Sequence, residues 1–180
     1  MKKTIIVTML ILLAVTSAAF AKNKAVTLPT SDIQVYFSPN GGCTEAIISA
    51  ISKAKSEILV QAYSFTSAPI AKALVEAHKR GVHVEVVLDK SQRKEKYTSA
   101  TFLANMKIPT YIDSAHAIAH NKIIIIDKKT VITGSFNFSK AAEDKNAENL
   151  LVIQSEELAE IYSKNFMAHK SHSEGLAPKY

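Results

Sequence analysis

Between Ala119 and Ser139 the chain reads AHNKIIIIDKKTVITGSFNFS, with His120 and Lys122 two residues apart, four isoleucines and Asp127 after them, and then Gly134, Ser135 and Asn137. An apolar strand needs neither an imidazole nor an ammonium at its entrance. Side chains at i and i+2 of a strand share a face, so if His120 and Lys122 open the strand, both groups project from one surface. A cation beside a histidine disfavours a metal ion and favours an anion. His116 and His120 stand four apart and would suit zinc on a helix. HAIAHNK, however, supplies no acidic third ligand nearby and puts Lys122 in the way. No metal and no cofactor is therefore expected.

The same parity separates Asp127 from this pair. It follows His120 by seven residues, an odd number, and in an uninterrupted strand it faces away, so it is expected to act as a structural anchor. Lys128-Lys129 then joins KIIIID to TVIT by a link so short that the two strands form an antiparallel hairpin. The returning arm carries Gly134, Ser135, Phe136 and Asn137 back toward His120. Gly134 permits a close backbone approach, Ser135 offers a hydroxyl and Asn137 an amide donor. His120, Lys122, Ser135 and Asn137 thus converge on a site the size of a phosphate.

The elements that must position these groups follow from periodicity. Ile33 to Phe37 alternates as a strand and ends at SPNGG, and Ile47, Ile48, Ile51 and Ala54 recur at helical spacing. EILVQAYSF is apolar enough for a strand buried on both faces. Ser67 and Pro69 open a helix that closes at Arg80-Gly81, and HVEVVLD is a further strand. KSQRKEKY reads as an exposed loop or helix start, Phe102, Leu103 and Met106 as a short helix, and TYI as a brief strand. After the hairpin, Asn149 to Ile153 is a strand, Ser155 starts a last helix reaching about Lys170, and the tail SHSEGLAPKY carries weak signals. Strands alternating with helices early and a hairpin later describe an α/β domain, a mixed β-sheet flanked by helices on both faces.

Residues 1–21 combine Lys2 and Lys3, an apolar run from Ile5 to Val15 and a small-residue ending at Ala19-Phe20-Ala21, the layout of a secretory signal peptide rather than a membrane span. Residues 22–180 are then a single domain, periplasmic or secreted, with no stable membrane association once the leader is removed. The formal net charge is +6, or +4 without Lys2 and Lys3, a mildly basic balance that suits a polyanion without requiring one. Cys43 is the only cysteine, so no internal disulfide forms, and a small buried residue is its expected state.

His120, Lys122, Asp127, Gly134, Ser135 and Asn137 fit H-x-K-x4-D-x6-G-S-x-N without a gap, a coincidence expected on the order of once in 10⁷ to 10⁸ starting positions. With YFSPNGGCTEAI, AKSEILVQAYSFTS and AENLLVI, the chain resembles the phospholipase D superfamily over most of residues 35–155, and within it the short, exported, single-motif bacterial endonucleases. The resemblance implies a phospholipase D-like fold and a metal-independent phosphodiesterase in which His120 attacks phosphorus to give a phosphohistidine. It implies that Lys122 and Asn137 bind the nonbridging oxygens, with Ser135 and Gly134 in support, and that Glu148 in NAENL accepts the other ring N–H of His120. Departure of the sugar oxygen also needs a proton, and hydrolysis of the intermediate needs a base. Larger members carry two motif copies. This chain carries one, so a second histidine is expected from a second chain, in a homodimer whose two-fold axis passes beside the site. His78, His83 and His116 are other acids within the chain, but no spacing directs them there.

Hydrolysis of DNA, or of RNA, by a non-specific endonuclease is the first functional reading, because a small basic dimer with an open site would contact backbone phosphates without reading bases. A phospholipase D acting on lipid head groups is the alternative, though no amphipathic stretch with exposed aromatics marks a docking face. A non-catalytic nucleic-acid-binding protein is the third reading, and the intact motif argues against it.

Overall fold

The computed structural model describes Val26–Thr27 and residues 33–179; the expected leader, residues 1–21, lies outside the described residues. In chain order the elements are β1 (Val26–Thr27), β2 (Ile33–Ser38), α1 (Cys43–Lys53), β3 (Glu57–Ala62), α2 (Ala68–Lys79), β4 (His83–Asp89), a 3₁₀ turn (Lys90–Arg93), α3 (Ala100–Asn105) and β5 (Thr110–Asp113). The second half adds β6 (Lys122–Ile126), β7 (Thr130–Gly134), α4 (Lys140–Asp144), β8 (Glu148–Gln154), α5 (Glu156–Ser171) and β9 (Glu174–Gly175).

The strands form one mixed nine-stranded sheet in the order β1-β2-β8-β7-β6-β3-β4-β5-β9. The β3–β4 and β4–β5 pairs, joined by helical crossovers, are parallel, and the other pairs are antiparallel. Alternate residues of the central strands face opposite layers. Ile58, Val60, Val84, Val86, Ile124 and Ile132 share a core with Ile47 and Ile51 of α1 and Ile70 and Leu74 of α2. Leu59, Val87, Ile123, Ile125 and Val131 meet Ala159 and Phe166 of α5 on the other face. The isoleucine run of β6 therefore has apolar cover on both sides, which is why it shows no polar alternation. Among the described residues, no helix is long and apolar enough to cross a membrane.

Three local readings need correction. KSQRKEKY is not wholly exposed: Gln92 is buried, and its Oε1 accepts from Phe65 N at 3.2 Å and Thr98 Oγ1 at 3.0 Å. The tail supplies β9, which pairs with β5, and Leu176 N donates to Thr110 O at 2.8 Å; a strand two residues long leaves no periodic trace. Asp127 ends no strand. With Lys128 it occupies the left-handed region (φ 52° and 54°), and Lys129 N closes the turn on Ile126 O at 3.0 Å.

Cys43 is fully buried at the start of α1, and burial, followed by the charges of Glu143 and Glu45, pushes its thiol up to about 12. That α1 terminus is capped from far along the chain. Glu143 of α4 accepts from Gly42 N at 3.2 Å and from Thr44 N at 2.8 Å, supplying a carboxylate to orphan amides. Because β2, β3 and β7 end where β6 and β8 begin, with Ser38 opposite Glu148 and Ala62 opposite Lys122, the candidate groups collect at one end of the sheet.

Candidate active site

His120 is exposed and stands just before β6, whereas Lys122 opens that strand and is 7% exposed. Their nearness therefore does not come from a shared strand face, as parity suggested. Backbone anchors on either side of the histidine produce it. Ala119 N donates to Asp89 Oδ2 at 2.7 Å, and Asn121 O accepts from Tyr63 N at 2.8 Å. Asp89 is almost fully buried at the end of β4. Burial works to raise its carboxyl, but hydrogen bonds from Ser91 and Ala119 outweigh it and hold the group below the usual range.

Tyr63, just past the end of β3, joins the two motif residues. Its ring lies 4.6 Å from the His120 ring, tilted by 49°, and Lys122 Nζ sits 5.2 Å from the same ring centre. The ammonium also donates to His120 O at 2.9 Å. One aromatic ring thus orients the imidazole and provides a cation–π contact to the lysine. Tyr63 was not among the residues expected here; its signal was a polar-tipped aromatic closing an otherwise buried apolar strand.

The returning arm arrives through a close backbone approach. Gly134 has φ 149°, and a Cβ there would lie 2.2 Å from Asn149 O, so no other residue fits without moving β8. Asn149 O accepts from both Ser135 N at 3.1 Å and Phe136 N at 3.3 Å, while Ser135 Oγ accepts from Asn149 N at 3.1 Å. That use of the serine oxygen leaves its O–H free to donate. Phe136 and Phe138 are fully buried, Phe138 edge-on to Phe65 at 5.6 Å, and they pin Asn137 between them. Asn137 Oδ1 is buried with no hydrogen-bond partner, an expense proteins usually avoid outside functional sites.

Glu148 was expected to accept from the His120 ring. No hydrogen bond joins them among the described residues. Glu148 Oε1 instead accepts from Asn146 Nδ2 at 3.0 Å, and its backbone N donates to Ser38 Oγ at 3.2 Å. Its charge acts on Lys122: burial lowers the ammonium's pKa, and Glu148 opposes that shift. Asp127 lies at the far end of β6, where its carboxylate accepts from the backbone N–H groups of Lys55, Ser56 and Glu57 and from Ser56 Oγ, at 2.8 to 3.2 Å. Two of the other histidines are engaged elsewhere: His83 bonds Glu85 at 3.1 Å and His116 bonds Asp113 at 3.0 Å.

A family model described as "Cardiolipin synthase, PLD-like domain" matches residues 47–170. The chain belongs to the phospholipase D superfamily. A curated superfamily member, a phospholipase D from Rickettsia conorii, is 46% identical over 144 residues, which cover 80% of this chain and 72% of that one. Nuc from Salmonella typhimurium, a phospholipase D family member of known structure, superposes with a TM-score of 0.78 at 42% identity, covering 81% of this chain and 97% of Nuc. NucT from Helicobacter pylori gives 0.73 at 25% identity, covering 80% and 98%. The expected α/β architecture thus stands, and the chain is a phosphodiesterase of this superfamily.

Proposed function

We propose that this phosphodiesterase is an endonuclease that cuts DNA or RNA through a phosphohistidine on His120, with each site completed across a homodimer. The observation that carries the reading is the meeting, across the Tyr63 ring, of an exposed imidazole and a nearly buried ammonium. An exposed nucleophile at the open end of a sheet admits a polymer backbone, and the net charge of +4 left without Lys2 and Lys3 suits a polyanion. Near-complete superposition on Nuc and NucT supports the same choice.

In the first step a ring nitrogen of His120 attacks phosphorus, and the bond to the leaving sugar oxygen breaks as that oxygen takes a proton from the partner subunit's His120. Lys122 Nζ and the Asn137 amide donate to the nonbridging oxygens, Ser135 Oγ–H assists, and Gly134 keeps the strand ends close. In the second step water attacks the phosphohistidine, gives its proton to the partner histidine, and releases a phosphomonoester with His120 restored. Glu148 favours the charged form of Lys122 against its burial, and Asp127 holds the hairpin at the opposite end of β6. Export to the periplasm or beyond, under a leader spanning residues 1–21, belongs to the same proposal, as does the absence of a metal or other cofactor from the chemistry.

The second reading is hydrolysis of phospholipid head groups, favoured by the name phospholipase D carried by the Rickettsia relatives. Single-stranded DNA, duplex DNA, RNA and phosphatidylcholine vesicles, assayed side by side in EDTA, separate the two. The nuclease reading expects chelator-resistant cleavage of nucleic acid and no choline release. His120→Ala should lower cleavage by about 10³-fold or more with unchanged circular dichroism. Choline release without nucleic-acid cleavage would transfer the same chemistry to lipids.

A further inference from the structure

A second group of chemically capable side chains lies apart from the catalytic histidine. Asp113 ends β5, His116 follows it in the loop, and His169 and His172 come from the last turn and C-cap of α5. Three imidazole nitrogens converge on a single carboxylate oxygen, Asp113 Oδ2: His169 Nδ1 at 2.7 Å, His116 Nδ1 at 3.0 Å and His172 Nε2 at 3.3 Å. The rings crowd one another, with centroids 4.7 to 5.5 Å apart. Asp113 Oδ1 accepts from Ala115 N at 3.0 Å and lies 3.2 Å from His116 Nδ1 as well.

We propose that Asp113, His116, His169 and His172 form a zinc site that ties the end of α5 to the loop carrying His120. As a hydrogen-bonded cluster the arrangement is crowded, since three ring nitrogens and one amide share a single carboxylate. As a donor set it is well matched to the metal. Three imidazoles and one carboxylate suit a borderline divalent ion such as zinc better than magnesium or calcium, which prefer oxygen ligands. Tetrahedral zinc, with bonds of about 2.0–2.1 Å, places its ligand atoms about 3.3 Å apart. The four donor atoms here all lie within 4.8 Å of one another.

The surroundings have the character of an outer shell. Asp113 is fully buried with its second oxygen anchored, and His169 is mostly buried, so half of the set is fixed. His116 and His172 are half exposed and free to adjust. Lys90 Nζ donates to the backbone oxygen of His116 at 2.9 Å and so helps to hold that loop. A four-ligand set leaves no open position, the mark of a structural rather than a catalytic zinc. The pattern is two i, i+3 pairs, D-x2-H and H-x2-H, 53 residues apart from His116 to His169, and only the fold joins them. His116 stands four residues before His120, so a metal here braces the loop that carries the catalytic imidazole.

The test uses the purified full chain, stripped with a chelator, exchanged into metal-free buffer and then mixed with a slight excess of zinc. Zinc should be retained at one ion per chain through gel filtration, measured by elemental analysis. At zinc about one hundred times its Kd the thermal midpoint should rise by roughly 5–10 °C, and magnesium should leave it unchanged. The double variant His116→Ala, His172→Ala removes two exposed ligands, so it should fold in metal-free buffer and lose both the retained zinc and the shift. His172→Ala alone should weaken binding at least tenfold. No retained zinc in the native chain, no zinc-dependent shift, or an equal shift in the double variant would each overturn the site. None of these readouts depends on phosphodiesterase activity, so the nuclease reading stands or falls separately.

Discussion

At the scale of single residues, the charge state of Lys122 governs how much negative charge the site can absorb. Its burial lowers the ammonium below the ordinary lysine value of about 10.4, against the opposing charge of Glu148. The protonated form is the one that neutralises a phosphate, so binding should weaken as pH rises through the lowered value. A pH profile of kcat/KM should therefore show an alkaline fall that begins below the range of a free lysine. Lys122→Arg, whose guanidinium stays charged, should lose that fall while being less active throughout, because a fork replaces a compact point charge beside the Tyr63 ring. Residue types and spacing singled out His120, Lys122, Ser135 and Asn137 as a candidate set, and the sheet register brings their strand ends to one end of the molecule. The contacts were less legible. Tyr63 enters the site from just past β3, 57 positions before His120, and no local pattern reveals which partner Glu148 takes when Asn146 is two residues away.

At the scale of elements, Asp127 links two connections that periodicity treats separately, the α1–β3 loop and the β6–β7 turn. Burial works to raise its carboxyl, and the amides of Glu57, Ser56 and Lys55 together overcome that and lower it. A carboxylate lowered on folding adds stability above its unfolded value of about 3.9, and that stability is lost as pH falls through the folded value. Asp127→Ala should cost about 2 kcal/mol at pH 7 in urea denaturation, and the gap between variant and native chain should shrink below about pH 4. The sequence signals for the long elements were strong because each is a run of apolar residues at one period. They were silent where a partner decides the outcome. Strand alternation could not show that the chain turns left-handed at Asp127, nor that Gln92 is drawn inward by the amide of Phe65.

At the scale of the whole molecule, Phe37 and Ile118 are 52% and 58% exposed at the end of the sheet where the candidate groups gather. A second copy seated there would cover them and bring the proposed second histidine. Sedimentation should give twice the chain mass, and specific activity should fall on dilution below the dimer's dissociation constant. Excess His120→Ala chain should suppress native activity after exchange of subunits. The sheet carries one more implication. Ser38 and Glu148 bond across 110 positions, and the strand ends beside them are just as widely scattered, so the chain must close large loops before any of these pairings is rewarded, which makes folding slow. The imidazole of His120 and the ammonium of Lys122 meet on the ring of Tyr63, so their arrangement requires β3 and β6 to have paired. On the proposal that residues 1–21 direct export, the chain would gain hydrolytic capacity only after that passage, once these distant strands have paired.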